Sequence, residues 1–125
     1  VYSSPDPDHE EYPPPGRESL VGPRGFGVIV RGESMAGVGI HDNDVVWINP
    51  DRPYRQNRPV LARVWDDDGN DYGMAVKTIR TDGEVDRLWS EPFVRESHPS
   101  TALGCKRFEV IGPVVGISPA FRVPS

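Results

Sequence analysis

Phe26-Gly27-Val28-Ile29-Val30-Arg31-Gly32 is a β-branched run that a glycine closes. Val and Ile crowd a helix but sit well on a pleated surface, so the run reads as a strand. Working outward, Val45-Val46-Trp47-Ile48 is a second apolar strand, stopped by Asn49-Pro50. A polar connection over 49–58 leads to a third strand, Val60-Leu61-Ala62-Arg63-Val64-Trp65, and the run 66–71 is a turn. Tyr72 to Ile79 makes a fourth strand, Thr81-Asp82-Gly83 signals a hairpin, and Val85 to Trp89 is its partner. Residues 90–104 are turn-rich, with Pro92, Pro99 and Gly104. Phe108 to Ile117 closes the pattern as one long strand bent at Gly112-Pro113. Ser34 to Gly39, between the first two strands, is too brief and glycine-rich for a regular helix.

The bulk numbers agree with that pattern. A chain of 125 residues with 14 Pro, 13 Gly and 36% apolar residues favours one domain of short strands and many turns. An all-β, or mostly β, barrel-like or sandwiched fold is expected. Residues 1–25 differ in composition: Asp6, Asp8, Glu10 and Glu11 stand among Pro5, Pro7 and Pro13-Pro14-Pro15. Prolines fix φ and donate no backbone hydrogen bond, so 1–25 reads as an extended arm or linker, or a disordered tail. Leu20-Val21 is its one stretch able to dock, as a short strand. Residues 26–125 form the domain proper.

The formal charge of −5 leaves no electrostatic footprint for nonspecific nucleic-acid binding. Cys105 is alone, which rules out an intramolecular disulfide and zinc-finger spacing. No metal or cofactor is called for. No apolar stretch is long enough to span a membrane, and the acidic, proline-rich start is unlike a signal peptide. A cytoplasmic setting is the expectation.

Two residues carry chemistry. Ser34 sits in Gly32-Glu33-Ser34-Met35, between turns that glycine permits. Lys77, one of two lysines in the chain, lies in the strand Met74-Ala75-Val76-Lys77-Thr78-Ile79. A serine hydroxyl needs a base before it attacks a carbonyl. Strand alternation puts Lys77 on one face with Ala75 and Ile79, where lost solvation favours the neutral amine. The competing reading is a lysine on a solvated face, its head in water. A Ser-His-Asp arrangement is also open, with His9, His41 and His98 as candidates, although no strand-elbow-helix surrounds the serine.

Gly-x-Ser-Met, then Gly39-Ile40 and Asp42-Asn43-Asp44-Val45-Val46, then Val76-Lys77, resemble the self-cleaving LexA and UmuD family in order. Ile111-Gly112-Pro113-Val114-Val115-Gly116-Ile117 is similar to that family's final strand, so the likeness covers roughly residues 26 to 122. The resemblance implies a LexA- and signal-peptidase-like β fold of short twisted strands. It implies Ser34 as nucleophile and Lys77 as general base; the tight turn that Gly32 permits lets main-chain amides point at a substrate carbonyl, an oxyanion hole from Glu33 and Ser34. Asn43 stands where the family carries glycine, and asparagine best replaces glycine at positive φ. Asp42 and Asp44 are read as structural. Thr78, where many relatives have arginine, and the acidic run 66–73 depart from the family pattern.

The same resemblance implies the C-terminal domain of a repressor of the DNA-damage response, stimulated to cut itself by the RecA filament on single-stranded DNA. It also implies dimerisation through the C-terminal strand, and DNA contact only through an N-terminal domain outside this sequence. Relatives cut a small-residue–Gly bond. Ala36-Gly37 lies just past the nucleophile and cannot fold back, and Val21-Gly22 leaves little chain for a return loop. The scissile bond is therefore expected outside this sequence. A phage repressor or a UmuD-like protein fits the same motifs. Type I signal peptidase would have proline after Ser-Met and a membrane anchor. A dimerisation module that keeps the fold without cutting is the non-enzymatic alternative.

Overall fold

The computed structural model describes residues 2–3, 18–66, 68–91, 101–102 and 107–120. The chain is mostly β, as the alternating apolar runs require. Its elements are β1 (Tyr2–Ser3), α1 (Glu18–Val21), β2 (Phe26–Val30), a 3-10 turn (Ala36–Val38), β3 (Val45–Ile48) and β4 (Arg58–Trp65). They continue with β5 (Asp71–Asp82), β6 (Val85–Ser90), β7 (Thr101–Ala102) and β8 (Arg107–Ser118). The strands hydrogen-bond in the order β1-β2-β3-β8-β4-β5-β6-β7. Every pairing is antiparallel.

The last strand joins the two halves of the sheet. Residues 107–113 of β8 pair with β4, and 114–118 pair with β3. The change of partner falls at Gly112-Pro113, where the sequence signals a bend. A Cβ at Gly112 would lie 2.8 Å from the Asn49 carbonyl oxygen, so only glycine lets β8 pass the end of β3. Asn49 in turn donates its amide to the Pro113 carbonyl at 3.3 Å.

Two apolar clusters cover opposite faces of the central strands. Val28, Val30, Met35, Ile40, Val46, Ile48, Leu61 and Val76 make one. Val60, Ala62, Val64, Ile79 and Leu88 make the other. In β4 the alternation is plain: Val60, Ala62 and Val64 face one cluster, while Leu61 faces the other. All four residues of β3 are buried, because Val45 and Trp47 pack under Val21 while Val46 and Ile48 face the core. A strand covered on both sides reads as a continuous apolar run.

Three local readings change. Leu20-Val21, read as able to dock as a short strand, does dock but as part of the helical turn α1; the Asn49 side chain holds it by donating to the Leu20 carbonyl at 2.7 Å. The hairpin after Lys77 turns two residues later than expected, with Asp82 opposite Val85. β4 starts at Arg58, inside the stretch read as a polar connection. The acidic turn holds together as read: the Asp66 carboxylate accepts the amides of Asp68 at 3.0 Å and Asn70 at 2.8 Å. Most of the arm 1–25 lies outside the described residues, as do His9, His98 and Cys105.

Candidate active site

Ser34 is set between a forced turn and a buried anchor. β2 ends at Val30, and Gly32 turns the chain at φ +90. Nothing within 4 Å would meet a Cβ there, so the backbone angle alone selects glycine. The Asp42 carboxylate fixes the turn by accepting the Gly32 amide at 2.7 Å. Immediately after Ser34, Met35 is 1% exposed and packs in the larger core cluster. Met35 precedes the 3-10 turn, whose Ala36 amide donates to the Glu33 carbonyl at 3.1 Å. Ser34 is thus held from both sides.

The turn at 41–44 braces this loop. Asn43 adopts φ +69, the conformation the sequence reading gave it as a substitute for glycine. Its amide donates to the Val30 carbonyl at 2.7 Å, and the Val30 amide donates to the Asp44 carbonyl at 2.8 Å. Asp44, 2% exposed, accepts the amides of His41 at 2.8 Å and Ala120 at 2.9 Å. Both aspartates accept main-chain amides.

Lys77 comes from the middle of β5, directly opposite Val60. It is 5% exposed, between Ala75 and Ile79 on its own face. Its Nζ lies 2.8 Å from Ser34 Oγ, in hydrogen-bond contact. Burial pushes the ammonium down from the ordinary lysine range, because the charged form loses its hydration. At this separation an ammonium donates to the hydroxyl, whereas a neutral amine accepts its proton.

The histidine alternative fares differently. The His41 ring faces Glu33, with Nδ1 at 3.1 Å from Oε2, both side chains being partly exposed. The hydroxyl of Ser34 is engaged by Lys77 instead.

The Peptidase S24-like family model matches residues 4–115. The chain belongs to the Peptidase S24-like family. This is the LexA/UmuD type, a family of serine peptidases, and the mostly β sheet described above is consistent with its fold. No curated protein matches the chain. Among the described residues no helix is long and apolar enough to cross a membrane.

One residue near the serine escaped the sequence reading. Glu91, inside the stretch 90–104 read as turns, is 2% exposed. Its amide donates to the Ser34 carbonyl at 2.7 Å, and its carbonyl accepts the Gly37 amide at 2.7 Å. An acidic residue just past a strand ending in Trp89-Ser90 looks solvated on paper. The only signal was Arg80 on the facing strand of the hairpin.

Proposed function

We propose that this S24-like domain is a self-cleaving serine peptidase in which Ser34 is the nucleophile and Lys77 the general base. The observation that carries the reading is the 2.8 Å contact between Lys77 Nζ and Ser34 Oγ, with the lysine buried. Neutral Nζ takes the hydroxyl proton as Oγ attacks the carbonyl carbon of the scissile bond. The oxygen of the tetrahedral intermediate gathers negative charge and is met by the amides of Glu33 and Ser34. Collapse breaks the C–N bond, and the leaving amine takes its proton from Nζ. A water, deprotonated by the regenerated amine, then attacks the acyl carbon, and Oγ leaves as the hydroxyl by taking that proton back from Nζ.

By its likeness to the LexA and UmuD type, the domain acts in a repressor or a related protein of the DNA-damage response. Cleavage is stimulated there by the RecA–single-stranded DNA filament, in the cytoplasm. DNA contact belongs to a separate N-terminal domain. Homodimerisation runs through the C-terminal strand, whose residues 114–118 pair with β3 among the described residues. A groove of about 900 Å³ is lined there by Val114, Val115, Ile117, Arg52 and Arg55.

Mixing the chain with a separate polypeptide that bears an Ala-Gly bond, and following products by mass spectrometry, tests the chemistry. Cleavage by the wild type and none by Ser34→Ala or Lys77→Ala is expected. Normal cleavage by either variant refutes the dyad. No cleavage by the wild type favours the non-cutting dimerisation module.

A further inference from the structure

The two reacting side chains come from segments 43 residues apart, so something must fix the distance between them. Ser34 lies outside every strand, whereas Lys77 is held in the middle of a long ladder. Glu91 connects the two. Its backbone straddles the nucleophile loop, donating to the Ser34 carbonyl and accepting from the Gly37 amide, both at 2.7 Å. Its side chain is 3% exposed, and a carboxylate so far from water requires a partner. Arg80 is that partner: its Nη2 donates to Glu91 Oε1. Arg80 lies three residues beyond Lys77 on β5, and its guanidinium stacks on the Trp89 ring, 5.0 Å from the centroid.

We propose that Glu91, held by Arg80, is a positioning residue that sets the Ser34–Lys77 distance. This rests on the dyad reading above. A continuous link runs from the base-bearing strand through Arg80 to the Glu91 carboxylate, and through the Glu91 backbone to the serine. The link uses one half-buried ion pair, its carboxylate the buried partner, and two main-chain hydrogen bonds. Loosening the carboxylate frees residue 91, and with it the amide that anchors the Ser34 carbonyl. A displacement of about 1 Å at a reacting pair costs roughly 10²-fold in rate.

The test reads serine reactivity without a peptide substrate. A small fluorophosphonate labels an activated serine: Oγ bonds to phosphorus, fluoride leaves, and the base takes the hydroxyl proton. Labelling of the wild type and not of Ser34→Ala sustains the dyad; its absence in the wild type ends both the dyad and this proposal. With the wild type labelled, Glu91→Gln should react roughly 10²-fold more slowly per folded molecule, the folded fraction being measured by circular dichroism. Arg80→Met should follow it, and Arg80→Lys, which keeps a cation for the carboxylate, should recover part of the loss. A merely stabilising ion pair would alter the folded fraction and leave labelling per folded molecule unchanged. That result in Glu91→Gln overturns the proposal while the dyad stands. Should Glu91→Gln fail to fold, the Arg80 pair decides: equal labelling of Arg80→Met and wild type per folded molecule overturns it equally.

Discussion

Val60 lies directly across the β4–β5 ladder from Lys77, fully buried, in the apolar cluster that also holds Ile79 and Leu88. This places an aliphatic wall beside an amine. Burial favours the neutral form and pushes the lysine down from its ordinary range. A base of this kind works only when deprotonated, so cleavage should accelerate as pH rises and level off once the amine is neutral. The first-order rate, followed from neutral to alkaline pH, checks this. A flat profile counts against Lys77 as the base.

The same burial has a consequence for stability. A lysine with a lowered folded-state value binds fewer protons in the native state than in the unfolded chain. Stability then rises with pH between the lowered value and the ordinary lysine range of about 10.4, with a slope of at most about 1.4 kcal/mol per pH unit. Lys77→Met, close in size and uncharged, removes that dependence. It should be inactive yet more stable than the wild type at neutral pH, with the difference shrinking at alkaline pH. Urea midpoints at two pH values measure it; a variant less stable than the wild type at neutral pH contradicts the argument.

The strands around the site were legible because β-branched residues and alternation are local properties of the chain. Lys77 was legible as well: a cation between Ala75 and Ile79 departs from its strand's pattern. What sequence could not supply was nonlocal pairing. That β8 runs between β3 and β4 depends on residues some forty to seventy positions apart meeting in register. The helical form of α1 is not legible in the sequence because Val21 alone packs with Val45 and Trp47, and a single buried residue carries no period. Glu91 is not legible in the sequence because its backbone partners, Ser34 and Gly37, lie far away along the chain.

Asn43 offers a test of the turn that braces the serine loop. Its φ of +69 strains any residue with an ordinary Cβ, and its side chain also accepts a bond from Arg31 Nη1. Asn43→Gly keeps the angle and loses an exposed hydrogen bond, so its stability should stay within about 0.5 kcal/mol of the wild type. Asn43→Ala meets the left-handed penalty of about 1–2 kcal/mol. Chemical denaturation of the two variants separates them. Equal stabilities would show that the backbone angle exerts no selection at this position.

Gly112 and Gly116 share β8 but differ in what surrounds them. A Cβ at Gly112 would meet the Asn49 carbonyl oxygen at 2.8 Å and the Pro50 Cα at 3.0 Å, both backbone atoms that cannot swing aside. At Gly116 the nearest atoms are Trp47 Cδ1 at 3.8 Å and Cβ at 3.9 Å, an ordinary contact. Gly112→Ala therefore has to push β8 off the end of β3, at a cost of about 1–3 kcal/mol typical of overpacking. Gly116→Ala should fold with stability close to the wild type, since the added methyl only covers the Trp47 ring. Because 107–113 and 114–118 pair with different strands, a shift at Gly112 strains the joint between the two halves of the sheet. Thermal melts of both variants should rank Gly112→Ala well below Gly116→Ala. The opposite order would mean that β8 crosses elsewhere.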